Sequence, residues 1–257
     1  MIKYDVTGNE DGKLIVFITG AGVGAWMYKH QQEFFTDYKT VFFDLLGHGV
    51  NDNLEFTTIN DAADMIKEIV VKEAKDKKAI IIGHSIGAQI IMHMIDNYSD
   101  YIEKAVIISG LNKKIKGVNW MIKPMISSSM PLIKYRWFAK AQAKELVLPD
   151  NMFEDYYQGS LKISKVTLQN IMSENMNFEF TNVSGVNVDA LILVGAREKK
   201  IMLKSALATK LAIPNSRAYV VGNAAHGIPY EHPALLNNMI EAFIGNKELP
   251  NDGVISL

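Results

Sequence analysis

The chain has 257 residues, 48% hydrophobic and 21% charged, a balance that suits one globular α/β domain with a sizeable core. Its formal charge of −1 gives no overall electrostatic pull toward nucleic acid or an anionic membrane. It has no cysteine, which excludes disulfides, thiolate nucleophiles and thiolate metal sites and fits a reducing cytoplasm.

The first six residues lack the apolar core of a signal peptide, and no run reaches the roughly eighteen apolar residues of a membrane span. A cytoplasmic location is the resulting expectation. Residues 2–6 alternate as a strand, residues 7–12 read as a turn, and Leu14-Ile15-Val16-Phe17-Ile18 reads as a fully buried strand, so a hairpin is expected to open the domain.

The next stretch, Thr19-Gly20-Ala21-Gly22-Val23-Gly24-Ala25-Trp26, has two readings. It matches G-x-G-x-x-A at Gly20, Gly22 and Ala25, with Asp44 after the next strand at about the spacing of a ribose-binding acid, which would suit a nicotinamide cofactor. Alternatively it is a glycine-rich turn whose Ala21 N–H faces a developing oxyanion. No tyrosine has a lysine four residues on, as a short-chain dehydrogenase would require, and this favours the second reading. Asp44-Leu45-Leu46-Gly47-His48-Gly49 is read as a tight turn with a hydrogen-bonded imidazole. Residues 57–75 form an amphipathic helix capped by Thr58 or Asn60, with Ile59, Ala62, Ala63, Ile66, Ile69 and Val70 on its core face. The carboxylates Asp61, Asp64 and Glu68 on its other face are read as solvated rather than as metal ligands.

Gly83-His84-Ser85-Ile86-Gly87 follows the apolar run Ala79-Ile80-Ile81-Ile82 and precedes a helix-like stretch over residues 88–95. G-x-S-x-G between a strand and a helix is the pattern of a nucleophile elbow: a sharp turn lifts the serine hydroxyl clear of the sheet, and flanking glycines allow close backbone approach. The Ile86 N–H, near a helix N-terminus, is a second candidate oxyanion donor. Ala105-Val106-Ile107-Ile108-Ser109 is another buried strand. Residues 111–182 break the rhythm: they hold no comparable strand run and are rich in helix formers, methionines and aromatics. A helical cap with an adaptable apolar inner surface is expected there, inserted into a core of residues 1–110 and 183–257. Strands at residues 190–194 and 217–221, helices at about 201–211 and 232–243, and a frayed polar tail beyond Gly245 complete the chain.

Serine after a middle strand, an acid after a later strand and a histidine after the last is the order of α/β-hydrolases. The chain resembles that superfamily over nearly its whole length. Its elbow, its D-x-x-G-H-G turn at residues 44–49, and Ala225-His226-Gly227 with Glu231 and Pro233 are similar to the superfamily's characteristic segments. Two positions depart. Gly195-Ala196-Arg197-Glu198 offers a glutamate where aspartate is common, leaving open whether Glu198 is the triad acid or a solvent-facing residue of a lysine-rich loop; Thr19 stands where many members carry histidine.

The resemblance implies a mostly parallel sheet flanked by helices, with Ser85 as nucleophile, His226 as base, Glu198 as orienting acid, and Ala21 and Ile86 as oxyanion donors. It implies a carboxylic ester hydrolase acting on a small, largely apolar acyl substrate, with no cofactor and no metal. Alternatives on the same fold are an acyltransferase, a cofactor-free lyase, and a ligand-sensing receptor with little turnover; a nicotinamide-dependent oxidoreductase is the alternative on a different one. His30, His84, His93 and His232 are read as structural or surface residues.

Overall fold

The computed structural model describes residues 2–183 and 185–257; Met1 and Ser184, both inside the expected core segments, lie outside the described residues. In chain order the elements are β1 (Asp5–Gly8), β2 (Leu14–Ile18), α1 (Lys29–Phe34), β3 (Lys39–Phe43), α2 (Ile59–Glu73), β4 (Ala79–His84), α3 (Ile86–Asn97) and β5 (Ile102–Ile108). Four helices follow: α4 (Asn119–Ser129), α5 (Arg136–Glu145), α6 (Phe153–Ser160) and α7 (Lys165–Asn177). The chain ends with β6 (Asp189–Gly195), α8 (Lys200–Ala212), β7 (Ser216–Val221), α9 (Ile228–Glu231), α10 (Pro233–Ile244) and β8 (Val254–Ser256).

The strands form one eight-stranded sheet in the order β1-β3-β2-β4-β5-β6-β7-β8. The six inner strands are parallel, and β1 and β8 are the antiparallel edges. β2 and β4 are buried along their whole length, as strands covered on both faces must be. The period of two divides their side chains between two cores: Val16, Ile18 and Ile81 pack with α2 and α3, while Ile15, Phe17, Ile80 and Ile82 pack with α10 and with Tyr28 and Phe35, which flank α1. Thr58 caps α2, its hydroxyl accepting from the Asp61 N–H at 3.0 Å while Asp61 bonds back to the Thr57 and Thr58 hydroxyls.

Two expectations are corrected. β1 and β2 do not form a hairpin: β1 begins at Asp5 and pairs with β3, and β2 lies between β3 and β4. The all-apolar β2 needs a neighbour on each side, whereas the largely exposed β1 suits an edge. The tail is not frayed, because Val254 and Ile255 add β8 to the open edge of β7, with Val220 opposite Ile255. Its polar residues form the loop that brings this β-branched end back to the sheet.

Candidate active site

Parallel strands end at one edge, and the register aligns their carboxyl ends: His84 lies opposite Ile108, Ile108 opposite Leu193, and Gly195 opposite Val221. The turns leaving β4, β5, β6 and β7 therefore gather Ser85, Ser109, Glu198 and His226, and all four line one cavity of about 630 Å³.

Ser85 sits at φ 58°, ψ −116°, a conformation that non-glycine residues adopt only under constraint. Its N–H donates to the Ile108 carbonyl at 2.9 Å, and α3 begins at the next residue. The flanking glycines are required by close approach: a Cβ at Gly83 would meet the Gly87 carbonyl oxygen at 2.4 Å, and one at Gly87 would meet the Ile18 oxygen at 2.6 Å. Ile86 opens α3, so its N–H has no helical acceptor four residues back. Gly20 packs directly on the elbow: a Cβ there would meet His84 Nδ1 at 2.7 Å and Ser85 Cβ at 3.4 Å.

Glu198 is nearly fully enclosed and all its partners converge on the site. Its Oε1 accepts from the Ser109 hydroxyl at 2.7 Å and from the Gly195 N–H at 2.9 Å. Its Oε2 lies 2.8 Å from His226 Nδ1. That contact places the Nδ1 proton toward the carboxylate and leaves Nε2 as the ring's acceptor. Glu198 is thus not the solvent-facing loop residue that its lysine neighbours suggested; its side chain is 3% exposed, while that of His226 is 31% exposed.

Glu231 ties the histidine turn down. It accepts from the Ala225 and Gly227 N–H groups and from Arg197, whose guanidinium lies 2.6 Å away, so the β6 and β7 turns are joined by a second contact beside Glu198–His226. His84 is buried behind the site, donating from Nε2 to the His226 carbonyl at 2.6 Å, while Nδ1 has no hydrogen-bond partner among the described residues. Burial, reinforced by the neighbouring His226, pushes its pKa down to about 3.

The D-x-x-G-H-G turn braces the glycine loop from the other side. Asp44 accepts from the Ala25 N–H at 2.6 Å and the Val50 N–H at 3.0 Å, and burial raises its pKa against the pull of those two amides. Each carboxylate oxygen thus holds one backbone amide, tying the glycine loop to the turn after β3. His48 accepts from the Gly22 N–H at 2.9 Å through Nε2 and donates from Nδ1 to the Leu46 carbonyl; burial holds its pKa down at about 4. Thr19 accepts from the Leu45 N–H and so stitches the loop to the same turn. Gly22 is therefore committed, while among the described residues nothing accepts from the Ala21 N–H.

Ser109, Arg197 and His84 were not singled out as site residues by the sequence reading. Ser109 carried one signal: it directly follows the strand next to the elbow strand, where its hydroxyl can reach a neighbouring acid.

A family model described as "Alpha/beta hydrolase family" matches residues 15–238. Among curated proteins, the AB hydrolase superfamily protein YfhM of Bacillus subtilis is 21% identical, covering 93% of this chain and 93% of its own length. Protein ABHD8 of Bos taurus is 23% identical over 92% of this chain, which spans 57% of that protein's length. Among solved structures, a thermophilic esterase from Thermogutta terrifontis superposes with a TM-score of 0.80 at 16% identity, over 95% of this chain and 93% of that one.

Proposed function

The chain belongs to the alpha/beta hydrolase family, and from that premise we propose that it is a serine hydrolase cleaving a small, largely apolar carboxylic ester, thioester or lactone through an acyl-enzyme on Ser85. The observation that carries this reading is the 2.8 Å contact of Glu198 with His226, on the wall of the cavity that Ser85 enters.

A serine hydroxyl is a weak nucleophile until a base takes its proton. His226 Nε2 takes it as Oγ bonds to the substrate carbonyl carbon, and Glu198 stabilises the imidazolium that forms. The Ala21 and Ile86 N–H groups hold the oxyanion, each donor contributing about 3 kcal/mol to the barrier reduction. Collapse of the tetrahedral intermediate breaks the bond to the leaving group, which receives the proton from His226. Water then attacks the acyl-enzyme by the same route in reverse and frees Ser85. The four helices between β5 and β6 act as a cap: Leu111, Ile115, Leu146, Met172 and Met176 line the cavity and favour an apolar acyl group.

Labelling with a fluorophosphonate tests this reading. Wild type is expected to label rapidly, Ser85→Ala not at all with an unchanged melting temperature, and Glu198→Gln slowly. Folded wild-type protein that resists the probe would overturn the hydrolase reading and point to a ligand-sensing role.

A further inference from the structure

The formal charge of −1 conceals a strong local asymmetry. Residues 113–144 contain eight of the chain's 27 basic side chains and none of its 28 acidic ones. All eight (Lys113, Lys114, Lys116, Lys123, Lys134, Arg136, Lys140 and Lys144) are exposed. Among the described residues Arg136 alone makes an ion pair, with Glu154 at 2.7 Å.

The same segment carries the most exposed large apolar side chains of α4 and α5. Trp120 is 74% exposed and Trp137 64%, and Met121, Met125 and Tyr135 stand out beside them. On its α5 side lies a groove of about 650 Å³ where Arg136, Lys140 and Lys144 stand with Val147, Leu148 and Phe153, with Asp150 as its one acidic lining residue. Cations around an apolar floor are matched to a phosphate ester carrying hydrocarbon.

We propose that the outer face of residues 113–144 docks on an anionic phospholipid bilayer. Tryptophans sit favourably at the headgroup level, exposed methionines reach the acyl boundary, and each lysine near an anionic surface strengthens binding about fivefold. A nucleic acid would satisfy the cations and the indoles but has no apolar layer to receive Met121 and Met125. Both ends of the segment border the Ser85 cavity, through Ile115 before α4 and Leu146 after α5, so the docked face adjoins the cavity lining. The proposal concerns adsorption to a surface and does not depend on any reaction at Ser85.

Vesicle co-sedimentation and tryptophan emission test it without a turnover assay. The full chain is expected to bind phosphatidylcholine vesicles containing about one-quarter phosphatidylglycerol and to ignore pure phosphatidylcholine, with release in about 0.5 M salt. Emission should shift to the blue on binding, and Trp120→Ala with Trp137→Ala should remove the shift, leaving Trp26 as reporter. Replacing Lys113, Lys114, Lys116 and Lys123 together by glutamine should weaken binding at least about fiftyfold while leaving the melting temperature unchanged. Three results would overturn the proposal: equal binding to neutral vesicles, undiminished binding of the folded glutamine variant, or tighter binding of a single-stranded oligonucleotide than of the anionic vesicles.

Discussion

Two pairs of a buried acid and a histidine lie at the carboxyl edge of the sheet, and they are used in opposite ways. In the turn after β3, Asp44 and His48 never touch; each is spent on backbone, Asp44 on the Ala25 and Val50 amides and His48 on the Gly22 amide and the Leu46 carbonyl. In the turns after β6 and β7, Glu198 is spent on His226, and one ring nitrogen remains for the cavity. Both pairs bring a carboxylate and an imidazole to the same edge, so chemical type alone does not separate them. The unspent valence does: a histidine with both nitrogens satisfied by backbone is a brace, and one held by an acid on a single side keeps a nitrogen for the proton transfer proposed above.

The largest expected effect separates the pairs directly. Glu198→Gln keeps the volume but turns an amide or a carbonyl toward His226 Nδ1 where a charge is required, so kcat on an activated ester should fall about 10³- to 10⁴-fold. Asp44→Asn faces an NH2 toward an amide donor and loses a charge-assisted bond, which should cost about 2–3 kcal/mol in urea unfolding while activity per folded molecule stays within about tenfold. If Asp44→Asn also silenced the folded enzyme, the brace reading of that turn would be wrong.

The difference should also appear as a pH dependence of stability. His48 and His84 stay neutral in the fold, with pKa values held at about 4 and about 3, but titrate near 6.5 once unfolded. The unfolded chain therefore binds more protons below that pH. Stability that is complete above pH 6.5 is lost as pH falls from there toward the folded-state values, at about 2 kcal/mol for each histidine by pH 5. His48→Gln keeps an acceptor for Gly22 but cannot take up the proton. Its stability change between pH 7.5 and pH 5 should be smaller than wild type's by about 2 kcal/mol, and an identical change would show that His48 is not held neutral by the fold.

Much of this edge was readable in the sequence because strand ends are marked by composition. The all-apolar runs 14–18, 79–82, 105–108 and 190–194 end at glycine-rich or polar turns, and Ser85, Glu198 and His226 follow from those turns and their order. What escaped were contacts made across the sheet rather than along it. Whether β1 sits beside β2 or β3 depends on which edge lies open, and the pairing of Val254 and Ile255 with β7 depends on an edge far away in the chain. The Glu198 environment was ambiguous for the same reason: its lysine neighbours are local, whereas the Ser109 hydroxyl that encloses it is 89 residues distant. Net charge misled in a different way, by averaging the cationic helices against an acidic remainder.

Ser109 supplies the finest test of the comparison, because it acts on the histidine only through the acid. Its hydroxyl gives Glu198 Oε1 a hydrogen bond that the Gly195 amide shares. Losing one of two donors should leave the carboxylate in place but less firmly aimed, and kcat should fall about tenfold with KM unchanged. Backbone strain must be separated from this effect, since Ser109 has φ 52°. Ser109→Gly relaxes that conformation and Ser109→Ala retains it, yet both remove the hydroxyl. Matching losses in the two variants would assign the effect to the hydrogen bond, whereas activity within about twofold of wild type in both would mean that Glu198 is aimed by the Gly195 amide and its own packing.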